Sequence, residues 1–125
     1  MSKDQKISIV IPIKNESENI QKLTREINKA CNKIKFEILF VNDGSNDNSI
    51  NILKILKKEN KNLIILNHNF SKGQSAALKT GIHNSTYEII VTLDGDCQND
   101  PKDIPSMLEK FTNPVSYTHL TLPTT

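Results

Sequence analysis

Two aspartates flank a single glycine in Leu93-Asp94-Gly95-Asp96, at the end of an apolar run in this 125-residue chain. Hard oxygen donors spaced in this way suit Mg²⁺ or Mn²⁺ bound together with a diphosphate, because those ions keep positions open for phosphate oxygens. Asp96 is the leading ligand and Asp94 the second, while Gln98 could add a neutral carbonyl oxygen. Asp100 is better placed to cap the turn before Pro101. The triplet also makes ordinary tight turns, so its meaning depends on what else lies beside it. Asp43, in the segment VNDGS, could accept hydrogen bonds from a base N–H or a ribose hydroxyl, as strand-end acids do in nucleotide-binding α/β folds. The ordinary alternative is an Asx-turn in which Gly44 supplies the positive φ. Gly73 opens the segment GQSAAL after a loop over residues 67–72, where small residues and a helix N-terminus admit a negatively charged ligand. Lys72 could meet a phosphate there, whereas Ala76 and Ala77 are more simply small because a helix packs tightly on a sheet. His68, His83 and His119 share no ligand spacing and receive no metal or catalytic role.

These residues need a scaffold that gathers them. Residues 7–13 (ISIVIPI) are β-branched and apolar almost throughout, as in a strand covered on both faces, with Pro12 marking its end. From Ser17 the apolar residues recur at helical steps through Ile20, Leu23, Ile27, Ala30 and Ile34, with Asn15 or Ser17 as cap. A second strand over 37–42 precedes a helix capped by Asp47 and carrying Ile50, Leu53 and Leu56. A third strand over 63–66, a helix from Gln74 to about Asn84, a fourth strand over 88–93 and a last helix from Asp103 or Ile104 to about Phe111, with Pro105 in its first turn, complete the series. Strands alternating with helices predict an α/β fold with a mostly parallel, doubly wound sheet. Such sheets bind ligands beyond the carboxyl ends of their strands, and those ends collect residues 12–16, 42–45, 67–73 and 94–100 on one rim.

Composition narrows the partners. The formal charge of +2 from sixteen basic and fourteen acidic residues is too small and too scattered to favour nucleic acid. Cys31 and Cys97 match no zinc or redox spacing, which fits a reducing compartment. No stretch reaches the ~18 apolar residues of a membrane span and the first six residues lack a signal-peptide core, so a cytoplasmic location is expected. Residues 114–125 differ from the rest, with no charge, several threonines and no periodicity. They resemble translated sequencing-adapter sequence, so residues 1–113 are expected to be the folded part and 114–125 a non-native or disordered tail.

Four segments in order, IVIPIKNE (9–16), FVNDGS (40–45), GQSAAL (73–78) and VTLDGD (91–96) with QNDP (98–101), resemble glycosyltransferase family 2, most closely bacterial enzymes of the dolichyl-phosphate mannose synthase type. The resemblance covers about residues 6–111. It implies a GT-A fold, a UDP- or GDP-linked sugar donor, and inverting transfer to a polyprenyl phosphate at the cytoplasmic face of a membrane. It further implies that Pro12 and Glu16 line the nucleoside pocket and that Asp43 binds the base. Asp94, Asp96 and Gln98 would hold the metal and the diphosphate. The acceptor phosphate is its own nucleophile in that scheme, and the acceptor-binding half would follow Phe111, so this chain is not expected to catalyse transfer by itself. Cys97 departs from the family pattern, and the loop over 67–73 is longer than common versions.

Two other functions stay open on sequence grounds. An Asp-nucleophile phosphatase or phosphotransferase would also use an Asp-x-Asp strand end, but usually after the first strand and with Thr or Val where Gln98 stands. A non-catalytic nucleotide-binding α/β module would need no metal-dependent affinity. A dinucleotide-binding protein is disfavoured because no Gly-x-Gly-x-x-Gly follows the first strand, and no Walker-type loop is present.

Overall fold

The computed structural model describes residues 5–110 and 118–122. In chain order the elements are β1 (Lys6–Ile13), α1 (Ile20–Ala30), β2 (Lys35–Asp43), α2 (Ser49–Glu59), β3 (Leu63–His68), α3 (Gln74–His83), β4 (Ile89–Thr92), α4 (Asp103–Glu109) and β5 (Thr118–Thr121). The strands form one sheet in the order β3-β2-β1-β4-β5. Every pair is parallel. The expected α/β fold with helices on both faces is therefore the observed one.

Side-chain alternation divides the core between the two faces. Ile9 and Ile11 of β1, Ile38 and Phe40 of β2 and Val91 of β4 are fully buried with Ile20, Leu23 and Ile27 of α1, Leu53 of α2, and Ile104 of α4. On the other face Val10, Leu39, Val41 and Ile90 pack with Ala77 of α3. The chain moves outward from β1 through β2 to β3, then returns past β1 to β4. A right-handed crossover in the reverse direction must lie on the opposite face, which is where α3 sits. Ala77 is fully buried there, as expected of a residue kept small for packing.

Several element boundaries differ from the sequence reading. Neither Asn15 nor Ser17 caps α1, which begins at Ile20 after a turn in which Asn19 and Ile20 donate to the Glu16 carbonyl. Asn15 instead takes φ 56°. Its N–H donates to Ser45 Oγ and its side-chain oxygen accepts from the Asn46 N–H, each at 2.8 Å. Ser17 N–H donates to Asp47 Oδ2. Both residues are spent on joining the loop after β1 to the loop after β2. Asp47, expected to cap α2, stands one residue before the N-cap Asn48, and its Oδ1 accepts from the Ser49 N–H at 2.9 Å. Burial raises its pKa, but the hydrogen bonds from Ser49 and Ser17 prevail and bring it down to about 2. Strands β2 and β3 run one or two residues further than expected, and β4 ends at Thr92. Helix α4 ends at Glu109, and Phe111 lies outside the described residues.

Residues 118–121, which composition sets apart from the body, run as β5 beside β4. Leu122 is 1% exposed. Residues 114–117 and 123–125 of that stretch lie outside the described residues. No helix among the described residues is long and apolar enough to cross a membrane.

Candidate nucleotide and metal site

The reversal of strand order between β1 and β4 opens a crevice at the carboxyl ends of the sheet. There the structure holds a cleft of about 570 Å³. One wall comes from the end of β1, with Pro12, Lys14 and Glu16. The loop after β4 supplies Asp94, Gly95, Asp96 and Gln98, and Asp43, Ser71, Gly73 and Gln74 complete the lining. All the residues expected at the site, Pro12, Glu16, Asp43, Gly73, Asp94, Asp96 and Gln98, therefore border one cavity.

The loop after β4 is shaped by close packing. A side chain on Gly95 would put its Cβ 2.7 Å from Ile13 Cγ2, so only glycine lets this loop lie against the end of β1. The positive φ falls instead on Cys97, at 64°. Asn99 is buried and its Oδ1 accepts the Asp94 N–H at 2.6 Å, which fixes the backbone of the acidic loop. Asp94 Oδ1 accepts from Gln74 Nε2 at 3.3 Å, and Asp96 Oδ1 from the Gln98 N–H at 3.3 Å. Both contacts are long for hydrogen bonds, and neither aspartate forms an ion pair among the described residues.

Two such carboxylates fit Mg²⁺ or Mn²⁺ only if other oxygens complete the shell. The described residues contain no cluster of three or more His, Cys, Asp or Glu able to hold a metal ion alone. A pair of hard donors at the rim of an open cleft is the arrangement those ions use when phosphate oxygens and water fill the remaining positions.

Asp43 is differently placed. Its Oδ1 accepts from the Lys72 N–H and from His68 Nδ1, each at 2.8 Å. Its Oδ2 accepts from the Gly73 N–H at 2.9 Å and from Ser71 Oγ at 3.0 Å. These donors occupy the roughly four lone-pair positions of a carboxylate. Burial raises the acid's pKa, and the hydrogen bonds from Lys72, His68, Gly73 and Ser71 more than reverse this, leaving it at about 2. The Asx-turn alternative does not describe Asp43, whose oxygens bond across to the loop before α3; it is Asn42 Oδ1 that accepts from the Ser45 N–H, three residues on, at 3.1 Å, while Gly44 has φ 71°. Asp43 thus anchors the loop that leads into α3, where Gly73 adopts φ 99°.

The sequence reading gave no role to His68, Lys14, Ser71 or Gln74. The His68 side chain is only 7% exposed and bridges Asp43 to Thr80 Oγ1 on α3, with Nε2 at 2.8 Å from that hydroxyl. Histidine read for metal spacing could not show this, because the link runs from a strand end to the middle of a helix. Lys14 lies inside the rim segment 12–16 and is its one cation, a signal that was present in the sequence. Lys72 does not line the cleft: its ammonium stands 5.4 Å from the centre of the Phe70 ring, and it serves the site through its backbone N–H.

The family model described as Glycosyl transferase family 2 matches residues 8–123. Among solved structures, the mannosyltransferase PcManGT from Pyrobaculum calidifontis, in complex with GDP-Man and Mn²⁺, superposes with a TM-score of 0.77 at 20% identity over 89% of this chain. TarS of S. aureus (residues 1–349) superposes with a TM-score of 0.70 at 20% identity over 86% of it. This chain spans about a third of each, 33% and 32% respectively.

Proposed function

The chain belongs to glycosyl transferase family 2, and from that premise we propose that it binds a nucleoside-diphosphate sugar together with Mg²⁺ or Mn²⁺. It is the donor-binding part of an enzyme that transfers the sugar, with inversion, to a polyprenyl phosphate at the cytoplasmic face of a membrane. The nucleotide is UDP- or GDP-linked, and the enzyme is of the dolichyl-phosphate mannose synthase type. One observation carries the reading: Asp43, Asp94 and Asp96, from the ends of two different strands, border the same cavity beside the opening of α3.

Asp94 and Asp96, with the Gln98 carbonyl oxygen, hold the metal. When bound, that ion offsets charge developing on the departing nucleoside diphosphate. Pro12 and Glu16 form the nucleoside wall. Asp43 receives a base N–H by exchanging its longest hydrogen bond, the one from Ser71 Oγ at 3.0 Å. Gly73, open on its side-chain side, leaves room for the ligand beside the start of α3. The GDP-Man and Mn²⁺ held by the Pyrobaculum mannosyltransferase support the same class of ligand here.

Calorimetric titration with UDP and GDP, each with and without Mn²⁺, tests the proposal. One nucleotide should bind, and more tightly with the metal. Indifference to both would overturn it. Asp96→Ala should remove the metal-dependent increment, a loss of about tenfold or more in affinity, about 1.4 kcal/mol. An unchanged increment would take Asp96 out of the metal site.

A further inference from the structure

We propose that Lys14 grips the diphosphate of the ligand, and that Ser71 holds its ammonium in readiness beside the cleft; the inference rests on the donor reading above. The cleft is lined by the carboxylates of Glu16, Asp43, Asp94 and Asp96, against which Lys14 is the single lysine or arginine among the described lining residues. Two aspartates cancel the charge of one divalent ion, so a multiply negative ligand in this acidic cavity requires a further cation. A lysine ammonium, compact and free to turn, suits phosphate oxygens.

The geometry keeps that charge available. Lys14 Nζ donates to Ser71 Oγ at 3.0 Å and forms no ion pair with an acidic side chain among the described residues. Ser71 spends its proton on Asp43 Oδ2, so the face of its oxygen turned to Lys14 is an acceptor. Asp43 is saturated by the Lys72 and Gly73 amides, His68 and Ser71 and draws no ammonium to itself. Lys14 is thus tethered by a neutral hydroxyl, an interaction that phosphate oxygens outcompete.

The experiment compares the full chain with Lys14→Gln and Lys14→Arg, in saturating Mn²⁺, for binding of the nucleoside, its monophosphate and its diphosphate in both the uridine and guanosine series. Lys14→Gln should weaken the diphosphate by about tenfold or more, leave the nucleoside unchanged and reduce the salt sensitivity of binding. Lys14→Arg should restore most of the loss. Equal weakening of nucleoside and diphosphate, or no weakening of either, overturns the inference while the donor reading stands. Failure of the unsubstituted chain to bind any of these ligands overturns both. Should the glutamine variant prove unfolded by circular dichroism, Lys14→Met takes its place under the same criteria.

Discussion

Asp43 shows how one side chain can belong to a binding cleft and hold up its wall. A buried carboxylate survives only when its lone pairs are met, and here two amides, a hydroxyl and an imidazole meet them. The consequence is a pH dependence whose sign is fixed. The folded-state pKa of about 2 lies below the ordinary value of 3.8, so the folded chain releases this proton more readily than the unfolded chain. Stability from Asp43 is complete above about pH 4 and is lost as pH falls through about 2, amounting to about 2 kcal/mol. Asp47, with its own pKa brought down to about 2, adds to the same acid limb, screened by its exposure. Urea midpoints between pH 7 and pH 2.5 should fall in the wild type, and Asp43→Asn should flatten that fall without abolishing it. The variant should also be about 1 to 3 kcal/mol less stable at pH 7, since an amide NH₂ would face donors. An acid limb identical in both proteins would remove Asp43 as its source.

Among the elements, α3 carries the tightest fit. Gly81 lies on its buried side, where an added Cβ would stand 2.3 Å from Val10 Cγ1 and 3.1 Å from Val41 Cγ2. Val10 is fully buried and β-branched, so it cannot turn aside cheaply. Alanine gains roughly 1 kcal/mol of helix propensity over glycine, but displacing the helix costs roughly 1 to 3 kcal/mol. Gly81→Ala should therefore lower the urea midpoint, whereas Ser75→Ala on the exposed first turn should leave it nearly unchanged. Because α3 starts at Gln74, its displacement should also loosen the Gln74 contact with Asp94 and weaken nucleotide binding. The strands were legible in sequence because a run such as ISIVIPI, apolar on successive residues, can only be covered on both sides. The helices followed from their stripes. Their starts did not: Asn15 and Ser17 have the chemistry of caps, yet the loop after β2 lies close enough to claim both. That the seven expected residues would border one cavity was legible because a parallel sheet sends all its strand ends to one rim. The role of Gly95 was not, since it depends on how near Ile13 comes.

At the scale of the whole molecule, the open question is what the outer edge of β4 requires. A strand edge presents unpaired N–H and C=O groups and accepts almost any extended, uncharged segment, so the uncharged composition of 114–125 is compatible with the pairing of Thr118–Thr121 there. Several contacts go beyond backbone pairing, among them Thr92 Oγ1 donating to Thr121 Oγ1 at 3.2 Å. Leu122 is buried within the same apolar cluster as Ile104 and Leu108 of α4. Asn99 Nδ2 donates to the Leu122 carbonyl at 2.9 Å while its Oδ1 holds the Asp94 N–H. Removing residues 114–125 should uncover the β4 edge, forfeit the burial of Leu122, roughly 1.5 to 3 kcal/mol, and lose the partial packing of Leu120 besides. The shortened chain should unfold at lower urea and associate with itself as concentration rises, which sedimentation would register. Its metal-dependent nucleotide affinity should nevertheless stay within about threefold, about 0.6 kcal/mol. The cleft is walled by the ends of β1 and β2, the α3 entry and the loop after β4, and Asn99 retains its grip on Asp94 without Leu122. A collapse of nucleotide binding with intact folding would instead make the edge strand part of the site, and residues 114–125 would then have to be counted as belonging to the working protein.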